Sequence, residues 1–342
     1  MKLSFEQIRN ITTGAVDLSS DAEGVSFFRF TKEQIESYKA RNESYYNNSF
    51  ATAGIKLCFK TDSEKLYIAI GTSIASSRRY FALDVLVNGE YIGSIDDFSD
   101  REIEKNYHAM KCELGSFSKT FTLGNGVKEV CVQLPWSVVT KLYSIELDDG
   151  AFLEAVKPEK KLLAFGDSIT QGYDALHPSN RYVAKLAAAL DAEELNKGIG
   201  GERFWPNLAA IKDDYNPDYI TVAYGTNDWR YSELESREKF DGFSENCKLF
   251  FENLRKNYPD AKIFAITPLW RADCEDTSPD WKFEKTEETI RKFAEMQDVT
   301  VIRGTDLLPH DTDLFADLKL HPSDEGFRYY FESLYDIIKT KI

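Results

Sequence analysis

From about residue 160 the chain alternates short apolar runs with amphipathic stretches, and no other feature narrows the fold as much. The runs are KLLAF, EELN, YITVAY, KIFAIT and VTVIR. Apolar residues recur at helical spacing in the stretches that separate and follow them. One set is Val183, Leu186, Ala187 and Leu190; another is Phe243, Cys247, Phe250 and Leu254; a last one is Phe327, Tyr330, Phe331 and Leu334. Strands joined through helices run parallel, because a parallel pair needs a crossover of a dozen residues or more. The helices then cover both sheet faces, so buried strands read as continuous apolar runs, as Leu162 to Phe165 do. This pattern predicts a three-layer α/β/α domain with a mainly parallel sheet.

Residues 1 to 154 follow a different pattern. AGIKLCF, KLYIAIG, YFALDVLVNGEYIGSI, SKTFTLG and VKEVCVQLP are β-branched or aromatic runs set apart by Gly, Asn, Asp and Ser. Asn88-Gly89 between two such runs is a hairpin signal, and TLGNGVKEV offers a second. Many short strands with turn signals predict a β-sandwich of jelly-roll-like type. KEQIESYKAR is the exception and reads as a short helix or an extended polar loop. AVKPEKK is the junction, giving a β-sandwich accessory domain over 1–154 and the α/β domain over 155–342. A chain of 342 residues is comfortable for two domains.

Charge and cysteine usage exclude several classes. A formal net charge of -15 argues against nucleic acid and anionic membrane surfaces, which need clustered Lys and Arg. No run is long enough to span a bilayer, and MKLSFEQIRNITTGAV has no apolar core of signal-peptide length. The expectation is a cytoplasmic chain unless a leader has been removed. Cys58, Cys112, Cys131, Cys247 and Cys274 are odd in number, widely spaced and never in C-x-x-C, which argues against a disulfide framework or a zinc site. Cys247 fits an apolar helix face.

In open α/β sheets, ligands bind beyond the carboxyl ends of the strands. Four segments of the second half fall at such places: GDSI after LLAF, NKGIGG after EEL, GTND after YITVAY, and LHPSD before the last helix. Taken alone, Asp167 or Ser168 could simply cap a helix. Gly201 could merely shape a turn, and Asn227 could make an Asx-turn.

Together the four segments resemble the GDSL or SGNH hydrolase family, whose blocks carry Ser, Gly, Asn and His. Gly166-Asp167-Ser168-Ile169 matches the first block, Gly201 the second, Gly225-Thr226-Asn227-Asp228 the third and His321-Pro322 the fourth. The resemblance covers roughly residues 160 to 342 and implies a flavodoxin-like SGNH catalytic domain. The chemistry fits those residue types. A serine hydroxyl needs a base to take its proton, and His titrates near neutrality. The tetrahedral intermediate needs preorganised donors, which the Ser168 and Gly201 N–H groups and the Asn227 amide can supply. The family places Asp three residues before His, where this chain has Leu318. Either Asp317, four before, orients the imidazole, or a backbone carbonyl does so in a Ser168–His321 dyad; Asp313 is a more distant choice.

Other motifs are absent. There is no G-x-S-x-G elbow, no complete dinucleotide fingerprint and no P-loop, and no cofactor or metal is expected. His310 in LLPHDTD reads as a surface turn or a cation site. His177 reads as a solvated loop residue or a pocket-lining one. Trp205, Trp229 and Trp270 suit stacking on sugar rings, or packing in the core. A β-sandwich followed by an SGNH domain resembles carbohydrate esterase family 2 and related acetylesterases. That resemblance implies deacetylation of xylo- or other oligosaccharides, so the expected partner is an oligosaccharide ester. The competing readings are a general short-chain esterase or thioesterase, and a carbohydrate-binding protein with a degenerate site.

Overall fold

A computed structural model describes residues 1–111, 113–231, 237–275 and 282–342 of the protein. The first half contributes α1 (Phe5–Ile11), β1 (Thr12–Thr13), β2 (Asp17–Ser20), β3 (Val25–Phe28), α2 (Lys32–Arg41) and α3 (Glu43–Asn48). It continues with β4 (Lys56–Thr61), β5 (Lys65–Ile74), β6 (Ala82–Val87), β7 (Glu90–Asp96), β8 (Ser116–Thr122), β9 (Lys128–Gln133), β10 (Val138–Leu147) and β11 (Glu154–Ala155). The strands form two antiparallel sheets, β1-β4-β9-β6-β7 with β11 on β4, and β2-β3-β10-β5-β8. Alternate residues of both sheets, among them Leu57, Phe59, Ile68, Ile70, Val130, Val132 and Ile145, meet in one apolar core. That is a β-sandwich built on period-two patterning.

The first hairpin forms as read. Asn88 and Gly89 take left-handed φ of 51° and 84°, and β6 pairs antiparallel with β7. TLGNGVKEV is not a hairpin. β8 pairs with β5 in one sheet, whereas β9 lies between β4 and β6 in the other. Phe121 and Leu123 before the turn and Val130 after it bury in the same core, so the turn carries the chain across the sandwich. KEQIESYKAR is the helix α2, started by a capping box between Thr31 and Gln34.

The second half contributes β12 (Lys160–Gly166), α4 (Ser168–Gln171), α5 (Tyr182–Ala189), β13 (Ala192–Asn196), α6 (Pro206–Ala210) and β14 (Tyr219–Ala223). It ends with α7 (Thr226–Tyr231), α8 (Arg237–Asn257), β15 (Lys262–Ile266), α9 (Phe283–Glu295), β16 (Thr300–Ile302) and α10 (Asp324–Ile338). The sheet order is β13-β12-β14-β15-β16, all parallel. In order of appearance this is 2-1-3-4-5, the flavodoxin-like winding. Leu163, Phe165, Ile220 and Val222 face Phe250 and Leu254 of α8 on one side, where Cys247 is buried. Leu162, Ala164, Phe264 and Ile266 face α5 and α10 on the other.

The two halves are stitched together. Phe30 and Tyr38 bury in the α/β core rather than in the sandwich. Arg29 is fully buried and donates to the carbonyls of Asn48, Ala51, Asn196 and Gly198, tying the segment around α3 to the loop after β13. Among the described residues no helix is long and apolar enough to cross a membrane.

Candidate active site

At the end of β12, neighbouring side chains divide two tasks. Asp167 caps α4, accepting from the Ile169 N–H at 3.0 Å. Burial pushes its carboxyl up to about 7, against that hydrogen bond. Ser168 is therefore not needed as the cap, and its Oγ lies 2.9 Å from His321 Nε2. Its N–H, at the first position of the helix, lacks an intrahelical acceptor.

His321 is held by a short loop ahead of α10. The Ala316 N–H donates to the His321 carbonyl at 2.9 Å, and Phe315 bridges Pro322. Inside the loop, Asp317 Oδ1 accepts from the N–H groups of Lys319, Leu320 and His321. Its Oδ2 lies 2.7 Å from His321 Nδ1. Burial opposes ionisation of Asp317, but the imidazole and the backbone donors outweigh it and hold the carboxyl well below the usual range. The spacing of four is absorbed by Leu318, which takes a left-handed φ of 57°. Asp313 lies apart, paired with Lys105 at the surface.

A second carboxylate stands behind the imidazole, and sequence reasoning missed it. Asp174 is buried, with Oδ2 3.6 Å from His321 Nδ1. Arg78, from the loop after β5, clamps it through Nε at 2.5 Å and Nη2 at 2.8 Å, and Tyr80 donates to it at 2.7 Å. The only signal in the sequence was the position of Asp174, at the end of the turn that follows Ser168.

Gly201 comes from the loop after β13, and Asn227 from the first turn of α7, which follows β14. A side chain at Gly201 would have room, its nearest neighbour being Tyr45 Cε1 at 3.9 Å, but φ is +78°. Backbone conformation, not space, is what requires glycine there. The Tyr45 hydroxyl donates to the Gly201 carbonyl at 2.9 Å. Asn227 Nδ2 donates one hydrogen to the Glu202 carbonyl at 3.0 Å, which leaves the second for the cavity. Glu202 is buried among Tyr38, Arg41 and Tyr224, and burial pushes its carboxyl up to about 7.

Ser168, Gly201, Asn227 and His321 meet in one open cavity of about 530 Å³. Much of its wall belongs to the first half: Asn42, Ser44, Tyr45, Asn48, Ser77 and Arg78, joined by Tyr173 and Arg203. The three tryptophans are not among the lining residues of this cavity. Trp229 is buried edge-to-face on Phe283 under Arg271. Trp205 packs on Tyr38 with Arg41 over it, and Trp270 stacks on His310. Each ring is taken up by a neighbour.

His310 is accounted for by Trp270 and by the Thr305 carbonyl, 2.9 Å from its Nε2. His177 is half-buried and lies outside the cavity; its Nδ1 lies 2.8 Å from buried Asp84. Among the described residues one group could share a metal ion, Asp174, Asp317 and His321. A cation there would compete with the Arg78 guanidinium and with the Asp317–His321 hydrogen bond.

Residues 164–329 match the model of the GDSL-like Lipase/Acylhydrolase family. Solved structures resemble the whole chain. The salicylyl-acyltransferase SsfX3 from a tetracycline biosynthetic pathway is 21% identical, with a TM-score of 0.78 over 96% of this chain and 94% of that one. A family two carbohydrate esterase from Clostridium thermocellum, solved in complex with cellohexaose, is 15% identical, with a TM-score of 0.66 over 96% and 98%. The acetyl xylan esterase Est2A from Butyrivibrio proteoclasticus is 17% identical, with a TM-score of 0.59 over 85% and 91%. At these identities the likeness is one of fold and of domain order. No curated protein matches the sequence. The chain carries a GDSL-like lipase/acylhydrolase domain in its second half, and it is a carboxylic ester hydrolase.

Proposed function

We propose that this enzyme removes short acyl groups, acetyl first among them, from carbohydrate such as acetylated xylo-oligosaccharides. The observation that carries the reading is the relay from Ser168 Oγ to His321 Nε2 at 2.9 Å and from His321 Nδ1 to Asp317 at 2.7 Å, opening into a polar cavity. In this reading Asp317 holds the Nδ1–H tautomer, which leaves Nε2 free to take the serine proton. Ser168 Oγ attacks the ester carbonyl. Negative charge then develops on the carbonyl oxygen, towards the N–H groups of Ser168 and Gly201 and the free amide hydrogen of Asn227. His321 returns its proton to the leaving sugar oxygen, and water repeats the sequence on the acyl-enzyme.

The cavity wall supports the substrate class. Asn42, Ser44, Asn48, Ser77, Arg78 and Arg203 offer hydrogen bonds to hydroxyl groups, while apolar lining is limited to Leu320 and the rings of Tyr45 and Tyr173. A long alkyl chain would find little surface to bury against. The carbohydrate esterases of similar architecture add weight to the same reading.

The test is acetate release from a panel of acetylated xylo- and gluco-oligosaccharides, beside p-nitrophenyl acetate and p-nitrophenyl decanoate. Acetate from at least one oligosaccharide, with the decanoate turned over poorly, is expected. Turnover of p-nitrophenyl acetate with no oligosaccharide deacetylated would make the enzyme a general short-chain esterase.

A further inference from the structure

Cys58 and Cys131 are 73 residues apart in the chain, and the fold brings their Sγ atoms to 2.8 Å. They are direct partners in the ladder between β4 and β9. The backbone hydrogen bonds define the kind of pair. The Cys58 carbonyl accepts from Val156 N–H, on the side of β4 away from β9. The Glu129 carbonyl accepts from Asn88 N–H on the β6 side, so Val130 turns its polar groups to β4 and Cys131 turns its own back to β6. Cys58 and Cys131 thus form a non-hydrogen-bonded pair. Such pairs bring Cα atoms to about 4.5 Å, inside the range of about 4.4–6.8 Å that a disulfide spans.

The side chains are also reachable. Leu57 and Phe59 point into the sandwich, so Cys58 points out of it, and both thiols line a second cavity of about 360 Å³. Its opposite wall is Ala187 and Ala188 of α5 with Glu194 of β13, and it shares no lining residue with the cavity at Ser168. Cys131 is the more exposed of the two. The hydrogen bond from Cys58, opposed by burial and aided by the Lys56 ammonium, holds the Cys131 thiol below its ordinary value. The same hydrogen bond and burial push Cys58 up.

We infer that Cys58 and Cys131 form a thiol–disulfide couple in the cavity between the sandwich and α5, a modification site for low-molecular-weight disulfides. The Cys131 thiolate attacks one sulfur of a disulfide such as oxidised glutathione, forming a mixed disulfide and expelling one thiolate, which takes up the Cys131 proton. Cys58 then attacks the Cys131 sulfur and expels the second thiolate, which takes the Cys58 proton. Two protein thiols are oxidised to one disulfide, and one glutathione disulfide is reduced to two thiols. The cross-link locks β4 to β9 on the face that meets the α/β domain.

The full-length protein, equilibrated with oxidised glutathione, blocked with iodoacetamide and digested without reduction, should yield one linked peptide pair containing Cys58 and Cys131. The pair should disappear in excess reduced glutathione. Cys58→Ser should trap a glutathione adduct on Cys131, because the resolving thiol is gone, and Cys131→Ser should leave Cys58 alkylated. Recovery of both wild-type cysteines as alkylated peptides, or as two separate glutathione adducts, would overturn the inference. That reading needs no variant to fold.

Discussion

Ser168, Gly201 and Asn227 enter the cavity from the carboxyl ends of the adjacent parallel strands β12, β13 and β14. Asn42, Tyr45, Asn48, Ser77 and Arg78 enter it from helices and loops of the antiparallel half. The first set is placed by topology, since any doubly wound sheet gathers those loops on one rim. The second is placed by packing: α2 seats Tyr38 in the α/β core, Arg29 anchors the backbone of Asn48, and Arg78 reaches across to Asp174. If chemistry resides in the floor and recognition in the wall, substitutions in the floor should act on kcat and those in the wall should act weakly or on KM.

The largest effects are expected at the relay. Ser168→Ala and His321→Ala should each lower kcat by about 10⁴–10⁶, and the double variant should cost little more, because members of one catalytic unit are not additive. Steady-state rates on p-nitrophenyl acetate check this, with circular dichroism to show that the fold is kept. Near-normal turnover in either single variant would remove the floor from the chemistry.

Next comes Asp317→Asn, with an expected loss of about 10⁴ in kcat as the imidazole tautomer is no longer held. Retained activity would hand the orienting role to Asp174 or a carbonyl. Stability offers an independent reading with a defined sign. The Asp317 carboxyl is depressed in the folded state, so its contribution is present above the unfolded value of about 3.9 and is lost as pH falls through the lower folded value. Wild type should therefore exceed Asp317→Asn in stability by a margin that is present just above pH ~4 and shrinks below it, as followed by urea unfolding. A margin that stays flat into strong acid would mean that the carboxylate is not held by the contacts around it.

Asn227→Ala should lower kcat by roughly 10²–10³ with KM little changed, the usual cost of one oxyanion donor. A pure KM effect would move Asn227 from the floor to the wall.

The floor was open to reading because each of its parts leaves a local mark in the chain. Apolar runs end in Gly-Asp-Ser, Gly-Gly and Gly-Thr-Asn, and those ends have a geometric destiny in a parallel sheet. Asp317 was readable only as one of several candidates, because its approach to His321 depends on the left-handed turn at Leu318, which nothing in the residue type Leu announces. The wall left no mark. Asp174 and Arg78 are 96 residues apart, and Tyr45 and Gly201 are 156 apart. Their meeting depends on how one half docks on the other, which no local periodicity encodes. The tryptophans lie near the motifs in sequence, yet their packing on neighbours such as Phe283 and His310 is likewise a tertiary matter. TLGNGVKEV carried good turn residues, but the sheet to which each flanking strand belongs was a tertiary decision.

The smallest expected effect lies on the boundary between floor and wall, at Tyr45. Its ring lines the cavity, yet its hydroxyl is spent on the Gly201 carbonyl at 2.9 Å. Tyr45→Phe keeps the ring and removes one hydrogen bond, whose net worth is about 1 kcal/mol, or about fivefold in a rate. If Gly201 is an oxyanion donor, as proposed, that bond steadies the loop carrying it, and the loss should appear in kcat with KM nearly unmoved. Tyr45→Ala also removes the ring and should raise KM in addition. A Tyr45→Phe variant with altered KM and unchanged kcat would place the hydroxyl on the substrate. Tyr45 would then belong to recognition alone, and the division between the two sides of the cavity would be sharper than the hydrogen bond to Gly201 implies.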